Sequence, residues 1–128
     1  MQLLNFIKNF FGGAASDPLP ENDTKHPAPK FENQAGKAFK SALKSDNNAI
    51  LLDVRTAAEV QNGALPGAVN IDYMSMSFRK KIAELDKSKT YFVYCRSGAR
   101  SMQACNIMHQ QGFDVRNLDG GIGAYPSK

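Results

Sequence analysis

Histidine and cysteine are scarce in this chain, with two of each in 128 residues. The histidines are His26, in a proline-rich stretch, and His109, which stands alone. No Cys–His pairing of the protease kind is therefore encoded. Cys95 and Cys105 lack the C-x-x-C spacing of a metal knuckle, and their placement predicts no structural disulfide. Cys105 and His109, at i and i+4 on a predicted helix, would make half a metal site, and no further ligands stand at suitable spacing. No metal site is expected from these residues. Free thiols suit a reducing compartment, so a cytoplasmic location is expected, with periplasmic, secreted or peripheral-membrane placement as the alternatives. No apolar run is long enough to span a bilayer. No internal repeat is visible. The domain's only run of adjacent basic residues, Arg79-Lys80-Lys81, has no interleaved aromatics, so it reads as a solvated face and nucleic acid is not an expected partner.

What is present is an ordinary soluble composition, 42% hydrophobic and 22% charged, with room for one domain of about 100 residues and an extension. Residues 1–13 form an amphipathic N-terminal segment. Leu3, Phe6, Ile7 and Phe10 share one helical face of Met1–Phe11, and Gly12-Gly13 would stop the helix. As a signal peptide it is poor, since Asn5, Lys8 and Asn9 interrupt it and no basic residue precedes it. A helix docked on the domain or a partner is favoured over a membrane-surface anchor, which one lysine supports badly. Residues 14–30 are a flexible linker, with four of the six prolines between Asp17 and Lys30. The domain is expected over 31–128. The net charge of +4 belongs to it, because residues 1–30 hold three basic and three acidic side chains. A mildly basic domain fits a small anionic substrate.

Within the domain, helix and strand patterns alternate. Ala35, Ala38, Phe39, Ala42 and Leu43 predict a helix, and the near-continuous apolar run Ala49–Val54 a strand covered on both faces. Thr56 and Glu59 read as a capping box opening a short helix. Ala68–Ile71 is a short strand, and Phe78, Ile82 and Leu85 predict the next helix. Tyr91–Tyr94 is a buried strand, Ser101–Gln111 a helix burying Ala104, Cys105, Ile107 and Met108, and Val115–Leu118 the last strand. This order predicts an α/β three-layer sandwich, a mostly parallel sheet with helices on both faces. Ligands of such sheets bind beyond the carboxyl ends of the strands, where both Cys95 and Asp53-Val54-Arg55 fall.

Cys95 follows the Tyr91–Tyr94 strand and begins C-R-S-G-A-R-S. A loop of inward N–H groups, a helix N-terminus and two guanidiniums lower a thiol pKa and stabilise the thiolate. Cys95 is thus a candidate nucleophile in an anion-binding cradle. Arg96 and Arg100 would handle an anion, or one of them would brace the loop through a carboxylate. Ser97 and Ala99 would contribute backbone N–H groups, and Gly98 a φ or close approach that other residues resist. Ser101 would cap the helix or hydrogen-bond the sulfur. Asp53, Arg55 and Glu59 read as an ion-pair network holding the loop rather than as catalysts. Cys105 reads as a core residue.

The spacing C-x4-R resembles the rhodanese (sulfurtransferase) loop C-R-x-G-x-R-[ST], matched by Cys95, Arg96, Gly98, Arg100 and Ser101. Leu51–Ile71 resembles the family's D-V-R-x-x-x-E-[FY]-x-x-G-H-[IL]-P-G-A-x-N-I segment, and Asn117–Tyr125 its terminal L-x-G-G-[IFL]-x-x-W. Ala64, Val60 and Tyr125 depart from the usual histidine, aromatic and tryptophan, outside the cysteine loop. The resemblance implies a rhodanese-like fold and transfer of a sulfane sulfur from thiosulfate or a persulfide donor, through a Cys95 persulfide, to a thiol or cyanide acceptor. It implies no cofactor. The expected partners are a small anionic sulfur donor and a thiol acceptor, a protein persulfide among them, with the chain acting as a monomer. A sulfur-relay carrier would use the same residues. Phosphatases and arsenate reductases use C-x5-R, one residue longer, and the histidine that precedes the phosphatase cysteine is here Tyr94.

Overall fold

The computed structural model describes residues 28–127. The N-terminal segment and most of the linker lie outside the described residues. Five strands and four α-helices follow in order: β1 (Phe31–Gln34), α1 (Gly36–Ser45), β2 (Ala49–Asp53), α2 (Ala57–Gln61), β3 (Val69–Asn70), α3 (Phe78–Ala83), β4 (Thr90–Tyr94), α4 (Ala99–Gln110) and β5 (Asp114–Leu118). A 3-10 turn, Ile122–Ala124, closes the described chain. The sheet order is β1-β5-β4-β2-β3, and every pairing is parallel.

Strand β4 is central and all five of its residues are buried, which accounts for its unbroken run of β-formers. Its side chains alternate between two cores. Tyr91, Val93 and the following Cys95 join Phe78, Ile82, Ala104, Cys105 and Met108 on the α3–α4 side. Phe92 and Tyr94 join Phe39, Leu51 and Leu118 on the α1 side. Phe39 stands edge-on to Phe92 at 5.3 Å between ring centroids, and Tyr125 meets the same Phe39 ring at 6.3 Å. The layers are those expected of the sequence pattern, and they leave the carboxyl end of β4 as the place where the chain turns into α4.

Three local expectations change. Strand β1 has no signal in the sequence, because Phe31-Glu32-Asn33-Gln34 carries no apolar alternation. It forms at the sheet edge by pairing in register with Val115–Leu118, so the ladder rather than propensity makes it. In α1, Ala35 and Ala38 are exposed, and Gly36 takes the buried face beside Phe39. Gly36 is there because a Cβ would overlap the Ala124 carbonyl. Finally, α4 begins at Ala99 rather than Ser101, with Gly98 at the N-cap in a left-handed conformation (φ 100°). Arg79, Lys80 and Lys81 are exposed along α3. No helix among the described residues is long and apolar enough to cross a membrane.

Candidate active site

The Cys95 sulfur is enclosed by the turn that follows it. The Gly98 N–H donates to Sγ at 3.0 Å, and the N–H of Ser101 donates at 3.4 Å. The Ser101 hydroxyl lies 3.4 Å from Sγ and 3.2 Å from the Gly98 carbonyl, so its single proton serves one or the other. Ser101 therefore lies inside the first turn of α4 with its hydroxyl on the sulfur, and is not the cap. Burial is the largest influence on the Cys95 thiol and opposes ionisation. The Ser101 hydroxyl and the N–H groups of Ser101, Gly98 and Ser97 outweigh it together and hold the thiol below its ordinary pKa. For Cys105 burial acts alone in size. It pushes that thiol far up, and the nearby Cys95 charge adds to the effect. Two buried cysteines thus differ in chemistry, one with its thiol pKa lowered and one with it raised.

Glycines let the turn close. The Gly98 Cα faces the next loop so closely that a Cβ would stand 3.2 Å from the Gly120 nitrogen. Gly121 sits against the Arg96–Ser97 peptide, where a Cβ would overlap the Arg96 carbonyl and come within 2.6 Å of the Ser97 nitrogen. The Ile122 N–H donates to the Cys95 carbonyl at 2.9 Å, completing the buttress from behind. The sequence signal for this contact is the G-G of the Asn117–Tyr125 segment, whose packing role depends on a loop distant in the chain.

Asp53, Arg55 and Glu59 are not one network. They form two separate braces. Arg55 Nη2 meets Asp53 Oδ2 at 2.8 Å, and Nε lies 3.0 and 3.1 Å from the two carboxylate oxygens. The same Nη2 donates to the Gly63 carbonyl at 2.7 Å, and the guanidinium lies 5.6 Å from the centre of the Tyr94 ring. The Tyr94 hydroxyl accepts from the Leu65 N–H at 3.0 Å. Burial, reinforced by Asp53, pushes its phenol up to about 12. This brace ties the end of β2 and the loop after α2 to the residue just before Cys95. Asn70 also belongs to it, donating to the Asp53 and Arg55 carbonyls at 2.9 Å each. The sequence reading did not single out Asn70, although it stands in the Leu51–Ile71 motif. Because Asp53 is wholly buried, Arg55→Ala would leave its carboxylate without its counter-charge. A loss of about 3–5 kcal/mol is expected, read from the urea unfolding midpoint. A loss under about 1 kcal/mol would show that the pair is dispensable.

The second brace reaches the cysteine loop. Arg100 Nη1 and Nη2 meet Glu59 Oε1 and Oε2 at 2.7 and 2.9 Å. Glu59 is itself fixed by the capping box, its Oε1 accepting from the Thr56 N–H and hydroxyl at 3.1 Å each. Arg100, followed by the Thr56 N–H, lowers the Glu59 carboxyl to about 2. Arg100 is raised in turn, chiefly by Glu59, with Cys95 and Asp72 also contributing negative charge. Of the loop's two arginines, Arg100 is therefore the bracing one, while Arg96 is exposed, as are Ser97 and Ala99. His109 packs its ring 5.9 Å from that of Phe31, and no group of three or more His, Cys, Asp or Glu side chains able to hold a metal is gathered among the described residues.

These features match known proteins over most of the chain. Residues 36–128 match the family model described as a rhodanese-like domain. A Bacillus subtilis (strain 168) protein provisionally named sulfurtransferase YtwF is 40% identical over 88 residues, covering 69% of this chain and 84% of its own. A protein of Allochromatium vinosum named sulfurtransferase is 38% identical over 90 residues, covering 70% and 82%. Among solved structures, SSP1007 from Staphylococcus saprophyticus superposes with a TM-score of 0.65 at 27% identity, covering 74% of this chain and 93% of its own.

Proposed function

Because this chain belongs to the rhodanese family, and the relatives reported above carry sulfurtransferase names, one of them provisionally, we propose that it moves a sulfane sulfur through a persulfide on Cys95. The observation that carries this reading is the buried Cys95 sulfur enclosed by the N–H groups of Gly98 and Ser101 and the Ser101 hydroxyl, which together hold its pKa below the ordinary value. Those donors are fixed before any substrate arrives, so they stabilise charge on sulfur without reorganising.

In the first half-reaction the Cys95 thiolate attacks the outer sulfur of the donor. With thiosulfate the S–S bond breaks, sulfite leaves with the bonding pair, and Cys95 carries a persulfide. In the second, an acceptor thiolate or cyanide attacks the terminal sulfur, giving an acceptor persulfide or thiocyanate and returning the Cys95 thiolate. The N–H groups from Arg96 to Arg100 hold the outer sulfur in this reading, and the exposed Arg96 draws an anionic donor to the loop. Cys105 takes no part, because burial keeps it protonated. The turn from Cys95 to Arg100 has one residue fewer than the C-x5-R loop of oxyanion enzymes, which favours a single sulfur over a tetrahedral anion.

Initial rates test this. With thiosulfate and cyanide both varied, parallel reciprocal plots are expected, since donor and acceptor never occupy the enzyme together. Intersecting plots would mean a ternary complex and would rule out a free persulfide intermediate.

A further inference from the structure

Two guanidiniums stand on the cysteine loop: Arg100 is ion-paired and Arg96 is exposed. Arg100 is held by Glu59 through two bonds of 2.7 and 2.9 Å, with the two side chains only 26% and 28% exposed. The pair is more than a chance surface contact. Its geometry is bidentate, and the carboxylate is pinned by the Thr56 cap before Arg100 arrives. With its carboxyl lowered to about 2, Glu59 carries its charge throughout the neutral range.

The charges around Cys95 can be followed group by group. Asp53 and Arg55 neutralise each other, as do Glu59 and Arg100. The thiolate is negative, and Asp72 lies near enough for its charge to act on Arg100. Arg96, exposed, is the remaining cation on the described cysteine loop. A dianion such as thiosulfate must approach a thiolate against this balance. The persulfide of an uncharged small thiol carries at most one negative charge and meets less repulsion.

We propose that Glu59 determines donor specificity: by committing Arg100, it sets the site for persulfides of uncharged small thiols over the thiosulfate dianion. The proposal rests on the sulfur-transfer reading above. In the favoured half-reaction the Cys95 thiolate attacks the outer sulfur of R–S–SH. A Cys95–S–SH bond forms, the donor S–S bond breaks, and R–S⁻ leaves with the bonding pair, the proton remaining on the outer sulfur. Glu59 touches no reacting atom and acts through Arg100, so it is a positioning residue.

The test compares kcat/KM for thiosulfate and for the persulfide of 2-mercaptoethanol, an uncharged thiol, with cyanide as acceptor, in the intact chain and in Glu59→Gln. Glutamine preserves the capping box while removing the charge that engages Arg100. The native chain should favour the persulfide. In Glu59→Gln the thiosulfate-to-persulfide ratio should rise several-fold at low ionic strength, and the rise should shrink as salt is added. Asp72→Asn leaves the cap untouched and retains an oxygen for the Met74 N–H that Asp72 now binds at 2.8 Å. It should move the ratio the same way by less, and it carries the test if the first variant folds poorly. A native preference for thiosulfate, or a ratio unmoved in both variants, would overturn the proposal while leaving sulfur transfer intact. Failure of both donors to load Cys95 in the native chain would instead overturn the reading beneath it.

Discussion

Cys95→Ser leaves a folded protein that transfers no sulfur. The serine hydroxyl fits the same enclosure and accepts from the Gly98 and Ser101 N–H groups, so the turn between β4 and α4 persists. The hydroxyl does not ionise in the working range, however, and oxygen cannot carry the transferred sulfur as a persulfide. Cys105 cannot substitute, since burial holds it as a thiol inside the α3–α4 core. Turnover from thiosulfate to cyanide should fall to the uncatalysed background, with a circular dichroism spectrum and unfolding midpoint close to those of the native chain. Measurable turnover in this variant would remove Cys95 from the chemistry.

The second large effect is expected of a residue that touches no substrate. Gly121 has φ 78°, and a Cβ on it would overlap the Arg96 carbonyl. The obstacle is backbone rather than the end of a flexible side chain, so Gly121→Ala must displace the Arg96–Ser97 peptide. The Gly98 N–H that holds Sγ follows directly in the chain. Its withdrawal leaves burial less opposed, and the thiol pKa rises toward its ordinary value. The native thiol is depressed, so its thiolate is present above that lowered pKa and is lost as pH falls through it. In the variant the loss begins at higher pH, and the acid limb of the rate profile moves up. Near neutral pH the rate should fall roughly 10²-fold, as misplacements of about 1 Å do. Gly67→Ala is the control. Its φ of 82° imposes the same left-handed strain, yet nothing lies within 4 Å of its Cβ position. The ultraviolet absorbance of the thiolate, followed against pH with Cys95→Ser as the blank, separates the two. An unshifted titration in Gly121→Ala, or an equal shift in Gly67→Ala, would refute the buttress.

The layered fold was legible because its burial is one-dimensional in the sequence. Strand β4 is covered on both faces and reads as Tyr-Phe-Val-Tyr, and the capping box of α2 is local by nature, spanning Thr56 to Glu59. What escaped depends on distant partners. Strand β1 exists only through its ladder with β5, 84 residues away at Phe31 and Val115. The split of Asp53, Arg55 and Glu59 into two braces depends on which face of the site each side chain reaches. Arg100 and Glu59 are 41 residues apart, and no spacing rule joins them. Conversely, Cys95, Gly98 and Ser101 sit within one turn, where sequence spacing and spatial distance nearly coincide, so the sulfur's surroundings could be read from the chain. The choice between capping and sulfur binding for Ser101 needed the actual start of α4.

The central claim is a persulfide on Cys95, and one spectrum addresses it. The native chain is incubated with thiosulfate or glutathione persulfide, freed of excess donor, and weighed intact. The expected result is a gain of one sulfur atom, located on the Cys95 peptide and discharged by cyanide. An unchanged mass with both donors, while Cys95 remains titratable as a free thiol, would contradict it.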